Sequence, residues 1–167
     1  MKVLEILKRF KQTEQFRQWQ AKNKDSKLVH VFIMLDPGQD VKYDIGFYDY
    51  KKKLMTSFTV DEELKDIQSR EDKEVFKKPG EKINPLDESR LKVCFRDASA
   101  KCRELQNNKY KQHAPIKEVI ILQNIDCGQV WNITYITKTF QTLNMKVDAE
   151  TGDIVEEKLH QIFTFDK

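Results

Sequence analysis

Glycine and proline are scarce in this chain of 167 residues, with five of the first and four of the second. That excludes collagen-like and low-complexity architectures. It also leaves no material for a phosphate-cradling loop: neither a Gly-x-Gly-x-x-Gly nor a Walker sequence is present. No apolar run approaches the roughly 20 residues a bilayer span needs. The three cysteines, Cys94, Cys102 and Cys127, show no Cys-x-x-Cys spacing. Cys94 and Cys102 sit about two helical turns apart, too far to bridge, and read as small apolar residues of a reducing compartment. Charge of one sign is lacking too: 30 Lys plus Arg stand against 27 Asp plus Glu, a net +3. So even a balance gives no default preference for nucleic acid.

The chain has enough apolar residues, 39% by number, to build a core. Charge is unevenly spread. Residues 1–27 hold eight basic and three acidic side chains, and residues 61–74 hold seven acidic and three basic. Such blocks describe solvated faces and connections. The start, Met1 to Phe10, carries a charge every few residues, unlike a signal peptide or an anchor, so a soluble, cytoplasmic protein is expected.

Val3, Leu7 and Phe10, with Ile6, Thr13 and Phe16 beside them and Trp19 beyond, predict one helix over residues 2–22. Leu28 to Leu35 is apolar on both faces apart from His30, a buried strand by length and β-branching. Val41, Tyr43, Ile45 and Phe47 alternate with polar or small neighbours, and so do Leu54, Thr56, Phe58 and Val60, which predicts two further strands. Residues 61–74 read as a frayed helix or a loop, and Glu74–Lys77 as a short strand.

The order then repeats. A helix capped by Asp87 or Ser89 presents Leu91, Cys94, Phe95, Ala98, Cys102 and Leu105 within one arc. Strands follow at Val119–Leu122, Val130–Thr137 and Thr139–Val147, and Ile154–Phe163 closes the chain as a last strand or as a helix. The expected fold class is α+β, in two tandem units over residues 1–80 and 81–167. Each unit is one helix packed on a curled antiparallel sheet, and the two can share a continuous sheet because isolated units leave open edges.

The second unit carries a resemblance. Val130-Trp-Asn-Ile-Thr-Tyr135, then Met145-Lys-Val-Asp-Ala-Glu-Thr-Gly-Asp-Ile154, resembles the PepSY domain, whose late hairpin reads Val-Asp-Ala-x-Thr-Gly. Val147, Asp148, Ala149, Thr151 and Gly152 match that turn, and Trp131 and Tyr135 stand where the family carries strand aromatics. The match covers roughly residues 86–157, and the general shape is similar to the cystatin fold. The resemblance implies a non-catalytic interaction module that restrains a peptidase, with no catalytic residues to transfer.

Direct readings of chemistry agree with that absence. His30, His113 and His160 have no His or Cys at i+3 or i+4, so no metal is expected. The Asp148–Asp153 stretch lacks the twelve-residue calcium-loop spacing. There is no Gly-x-Ser-x-Gly elbow, and Cys127, the one thiol expected at a turn, has no neighbouring base. No enzyme activity and no cofactor are expected. The expected partner is another protein, with no membrane involved, and the candidate contacts are Tyr48, Tyr50, Lys51, Lys52 and Lys53 at a hairpin tip. The alternative is weak nucleic-acid binding by the same tip and the basic helix faces, since aromatics beside lysines supply stacking and phosphate contact.

Overall fold

The structure is a computed structural model and describes residues 2–35, 38–72 and 82–161. Two short helices, α1 (Val3–Lys11) and α2 (Glu14–Lys22), precede four strands: β1 (Lys27–Met34), β2 (Lys42–Asp49), β3 (Leu54–Asp61) and β4 (Ile67–Asp72). A 3₁₀ turn (Glu88–Arg90) and helix α3 (Phe95–Lys109) lead into β5 (Pro115–Ile125), β6 (Gly128–Thr137), β7 (Gln141–Asp148) and β8 (Ile154–Gln161). All eight strands form one sheet in the order β4-β3-β2-β1-β5-β6-β7-β8, and every neighbouring pair is antiparallel. The fold is α+β, with its helices against one face of a single sheet.

Three expectations are corrected. The helix over residues 2–22 is two helices, because Thr13 caps α2: its Oγ1 accepts from the Phe16 N–H and its hydroxyl donates to the Phe10 carbonyl at 2.7 Å. The acidic stretch 61–74 is not helical, since Ile67–Asp72 pairs with β3 as an edge strand. Its alternating charges suit an edge, where they discourage pairing with another chain. Helix α3 begins at Phe95, later than the apolar arc suggests, while Asp87 caps the 3₁₀ turn by accepting from the Ser89 N–H. The short strand expected at Glu74–Lys77 lies outside the described residues.

One hydrophobic cluster runs through both halves of the helix-covered face. Phe10, Phe16 and Trp19 pack on Phe47 and Phe58, with ring centroids 5.0–6.3 Å apart. Across the seam, Phe95 of α3 meets Trp131, whose indole N–H donates to the Val93 carbonyl at 2.9 Å. Alternation sends Val31, Ile33, Ile120, Leu122, Ile133, Tyr135, Leu143 and Met145 into this core. Their chain neighbours therefore point to the opposite face, over which no helix lies among the described residues.

The seam itself is short. Strands β1 and β5 pair at four positions, from His30↔Gln123 to Ile33↔Ile120, and just before the first of them Val29 is bulged out of the β1–β2 register. Beyond it the connection between the halves takes over. Asn84 bridges Asn124, the Asn124 amide donates to the Pro85 carbonyl, and the Leu86 N–H donates to the Leu28 carbonyl.

Candidate functional site: the uncovered sheet face

The uncovered face is built by the register. Phe32 stands opposite Ile121, and Met34 and Val119 lie one pleat further along the same two strands. All four are partly exposed, so the seam shows an apolar stripe on the side away from the helices. This explains why Leu28–Leu35 reads as apolar on both faces: one face enters the core and the other forms the stripe.

Polar side chains flank it. On one side lie Asp44 and Thr59, whose hydroxyl reaches the Asp44 carboxylate at 3.5 Å. On the other, the Asn144 amide donates to Asn132 Oδ1 at 2.6 Å and Thr134 Oγ1 at 2.8 Å. Lys146 pairs with Glu156 at 2.5 Å, which holds the Glu156 carboxyl below its usual range, with Lys158 assisting. Asn132, Thr134, Asn144, Lys146 and Glu156, together with Gln123, Thr142 and His160, border an open hollow of ≈ 660 Å³. It has the polarity of a surface that hydrogen-bonds a neutral chain, without the single-signed charge of an ion or phosphate site.

His30 sits at the head of the stripe. Its imidazole lies flat on the bare backbone of Gly46, the residue opposite it on β2; a Cβ there would come 2.0 Å from His30 Cε1. Burial holds the His30 pKa below its ordinary value; the Asp44 carboxylate opposes this and Arg70 reinforces it.

The hairpin tip singled out in the sequence is differently built from the expectation. Tyr48 is buried, stacked edge-on against Tyr50 at 4.9 Å and packed with Val29, Met55 and Ile83. Tyr50 is 42% exposed, but its hydroxyl donates to the Ile83 carbonyl at 2.7 Å, so the ring holds down the connection between the halves. Lys51 pairs with Asp25 at 2.7 Å and Lys52 with Asp49 at 3.8 Å, while Lys53 takes a left-handed φ of 53° to close the turn. These five residues do come together, yet two of the three ammonium groups face carboxylates. The residues missed by the sequence reading are Phe32, Ile121, Asn132 and Asn144. The signal was present as a period-two alternation of Asn132 and Thr134 with Trp131, Ile133 and Tyr135.

Other candidate chemistry stays dispersed. Cys102 is buried and its thiol is pushed up to about 12 by burial, Cys94 is half-buried at the start of α3, and Cys127 is exposed in the β5–β6 turn. Among the described residues no group of three or more His, Cys, Asp or Glu could hold a metal ion. No helix among them is long and apolar enough to cross a membrane.

The class is thus an α+β fold with one eight-stranded antiparallel sheet, with the described helices on one face. No family model and no curated protein matches the chain. Among solved structures it is similar to a "putative lipoprotein" from Clostridium difficile 630, at 16% identity and a TM-score of 0.57, over 88% of this chain and 91% of that one. The likeness is one of fold. The cytoplasmic location expected from the sequence is not upheld: the protein that shares this architecture over 88% of the chain is described as a lipoprotein, which points away from the cytoplasm.

Proposed function

We propose that the chain is a non-catalytic interaction module that binds another protein on its uncovered sheet face. One observation carries the reading: an apolar stripe of Phe32, Met34, Val119 and Ile121, partly exposed among the described residues and bordered by amides, hydroxyls and a lysine–carboxylate pair. An apolar centre inside a polar, hydrogen-bonding rim is the anatomy of a protein interface. In this reading the chain is two tandem units, 1–80 and 81–167, PepSY-like or cystatin-like in kind, set side by side so that β1 and β5 share the stripe. The resemblance adds that the partner is a peptidase or a peptidase-bearing protein, restrained by contact. The engaged state of Lys51 and Lys52 favours a protein over nucleic acid.

The test places a photo-reactive benzoylphenylalanine at Phe32 and, as a control, at Arg96 on the helix layer. Irradiation in a lysate of the source cells should give a protein adduct from position 32 and none from position 96. The adduct should survive nuclease and high salt, and Ile121→Glu should suppress it. Equal labelling from both positions, or an adduct lost to nuclease, refutes the proposal.

A further inference from the structure

Six large apolar side chains are well exposed among the described residues: Leu35, Tyr50, Ile116, Phe140, Val155 and Leu159. Four of them, Leu35, Ile116, Phe140 and Leu159, lie at one end of the sheet, where β1 and β8 finish, β5 starts and β6 turns into β7. The two most exposed are neighbours in the register: Ile116, 61% exposed, is the bulged residue between Pro115 and Lys117, and Pro115 pairs with Thr137 at the foot of the turn holding Phe140.

Phe140 is 68% exposed and has φ 55°. The turn is tightly made: the Phe140 N–H donates to the Thr137 carbonyl at 3.1 Å, and the Thr137 hydroxyl donates to the Gln141 carbonyl at 3.0 Å. A three-residue hairpin loop of this kind calls for glycine at the left-handed position. The two neighbouring hairpins, β5–β6 and β7–β8, do place glycines there, Gly128 and Gly152. This one holds up an aromatic ring instead, against local backbone preference.

Among the described residues of this corner the unpaired charge is of one sign. No Asp or Glu occurs between Glu104 and Glu118, nor between Asp126 and Asp148. Lys111, Lys117 and Lys138 belong to these stretches and take part in no ion pair among the described residues. Glu118 is engaged by Ser99 and Arg103 on the helix side. The β3 side of the same end carries Asp61, Glu62 and Glu63, so the positive field is confined to the β5–β8 corner.

We propose that this corner is a peripheral contact for an anionic lipid surface, with Phe140 and Ile116 entering the headgroup boundary and Lys111, Lys117 and Lys138 meeting the headgroups. Apolar side chains that project from turns, and do not line a depression, need no shape-complementary partner; a bilayer offers none. Basic residues around an apolar tip are what an anionic interface retains. The contact asks for no spanning helix and is separate from the uncovered face.

The probe is flotation of the full chain with vesicles of phosphatidylcholine alone or mixed equally with phosphatidylglycerol. Wild type should float with the mixed vesicles at low salt and not with the neutral ones. Phe140→Gly should lower partitioning about tenfold or more, the worth of one buried ring, without loss of fold, because glycine suits the left-handed turn. Lys111→Gln, Lys117→Gln and Lys138→Gln combined should lower it about a hundredfold, at roughly fivefold per charge. Tyr50→Ser, at the opposite end, should leave it unchanged. No flotation with mixed vesicles, equal flotation with both kinds, or variants at the corner that float like wild type would overturn the proposal.

Discussion

Gly46→Ala is the sharpest probe of the uncovered face. In the native sheet the His30 ring fills the space a side chain at position 46 would occupy: an added Cβ would stand 2.0, 2.4 and 2.5 Å from Cε1, Nδ1 and Nε2. Contact distances for such atoms are about 3.5–4.0 Å, so the ring has to swing well out of its place. It then loses its seat on the backbone, and overpacking of this kind costs about 1–3 kcal/mol; because the ring can move toward solvent, the low half of that range, about 1–2 kcal/mol, is expected. Without the ring the sign reverses. In a His30→Ala background those three close contacts are gone, and Gly46→Ala removes a glycine from a strand interior, a gain of about 0.5–1 kcal/mol. The coupling between the two positions is then about 2 kcal/mol, well above the roughly 0.3–0.5 kcal/mol scatter of independent sites. Urea unfolding of the four proteins, with unchanged denaturant slopes, measures it. Equal effects of Gly46→Ala in both backgrounds would refute the packing of His30 on Gly46, and with it the placement of His30 on this face.

Three more outcomes follow from the same geometry. His30 has a folded pKa below its unfolded value near 6.5, so the unfolded chain takes up the proton first as pH falls. Its contribution is fully present above that pH and is lost progressively below it; His30→Gln should flatten the acid limb of a stability–pH curve, and an unchanged limb would contradict the burial. Alkylation mapped by mass spectrometry should modify Cys127 first, Cys94 more slowly and Cys102 only on unfolding, because burial raises its thiol to about 12. Trp131→Phe removes volume from a fully buried site and leaves the Val93 carbonyl without its indole donor, which should cost about 2–4 kcal/mol in the same urea assay.

Strand alternation was the most legible part of the sequence. Val41–Phe47 and Leu54–Val60 show period two because one face meets the helices while the other carries small or polar residues such as Lys42, Asp44, Gly46, Ser57 and Thr59. Two things were hidden for physical reasons. Thr13 fits an apolar stripe by position, and its second use as a cap is visible only once the chain has bent at Gln12. Ile67–Asp72 is a strand by virtue of its partner β3 and not by its own polar residues, which tertiary pairing overrides. The candidate site was half legible. The tyrosines and lysines of residues 48–53 were found by composition, but composition does not reveal that Asp25, Asp49 and Ile83 occupy them. Phe32 and Ile121 lie about 90 residues apart in the chain, and neither is unusual until β1 and β5 are laid side by side.

That separation has a kinetic side. Apart from the seam, each pair of neighbouring strands is consecutive in sequence, so each four-stranded meander can form through short loops. The β1–β5 pairing closes a loop of about 90 residues, an entropic cost near 4 kcal/mol, against four paired positions. It is the step with the least local support, and topology of this kind sets folding speed. The stripe draws Phe32 from one meander and Ile121 from the other. A chain in which either meander is incomplete therefore lacks the paired stripe, and on the proposed reading recognition would be coupled to the completion of folding.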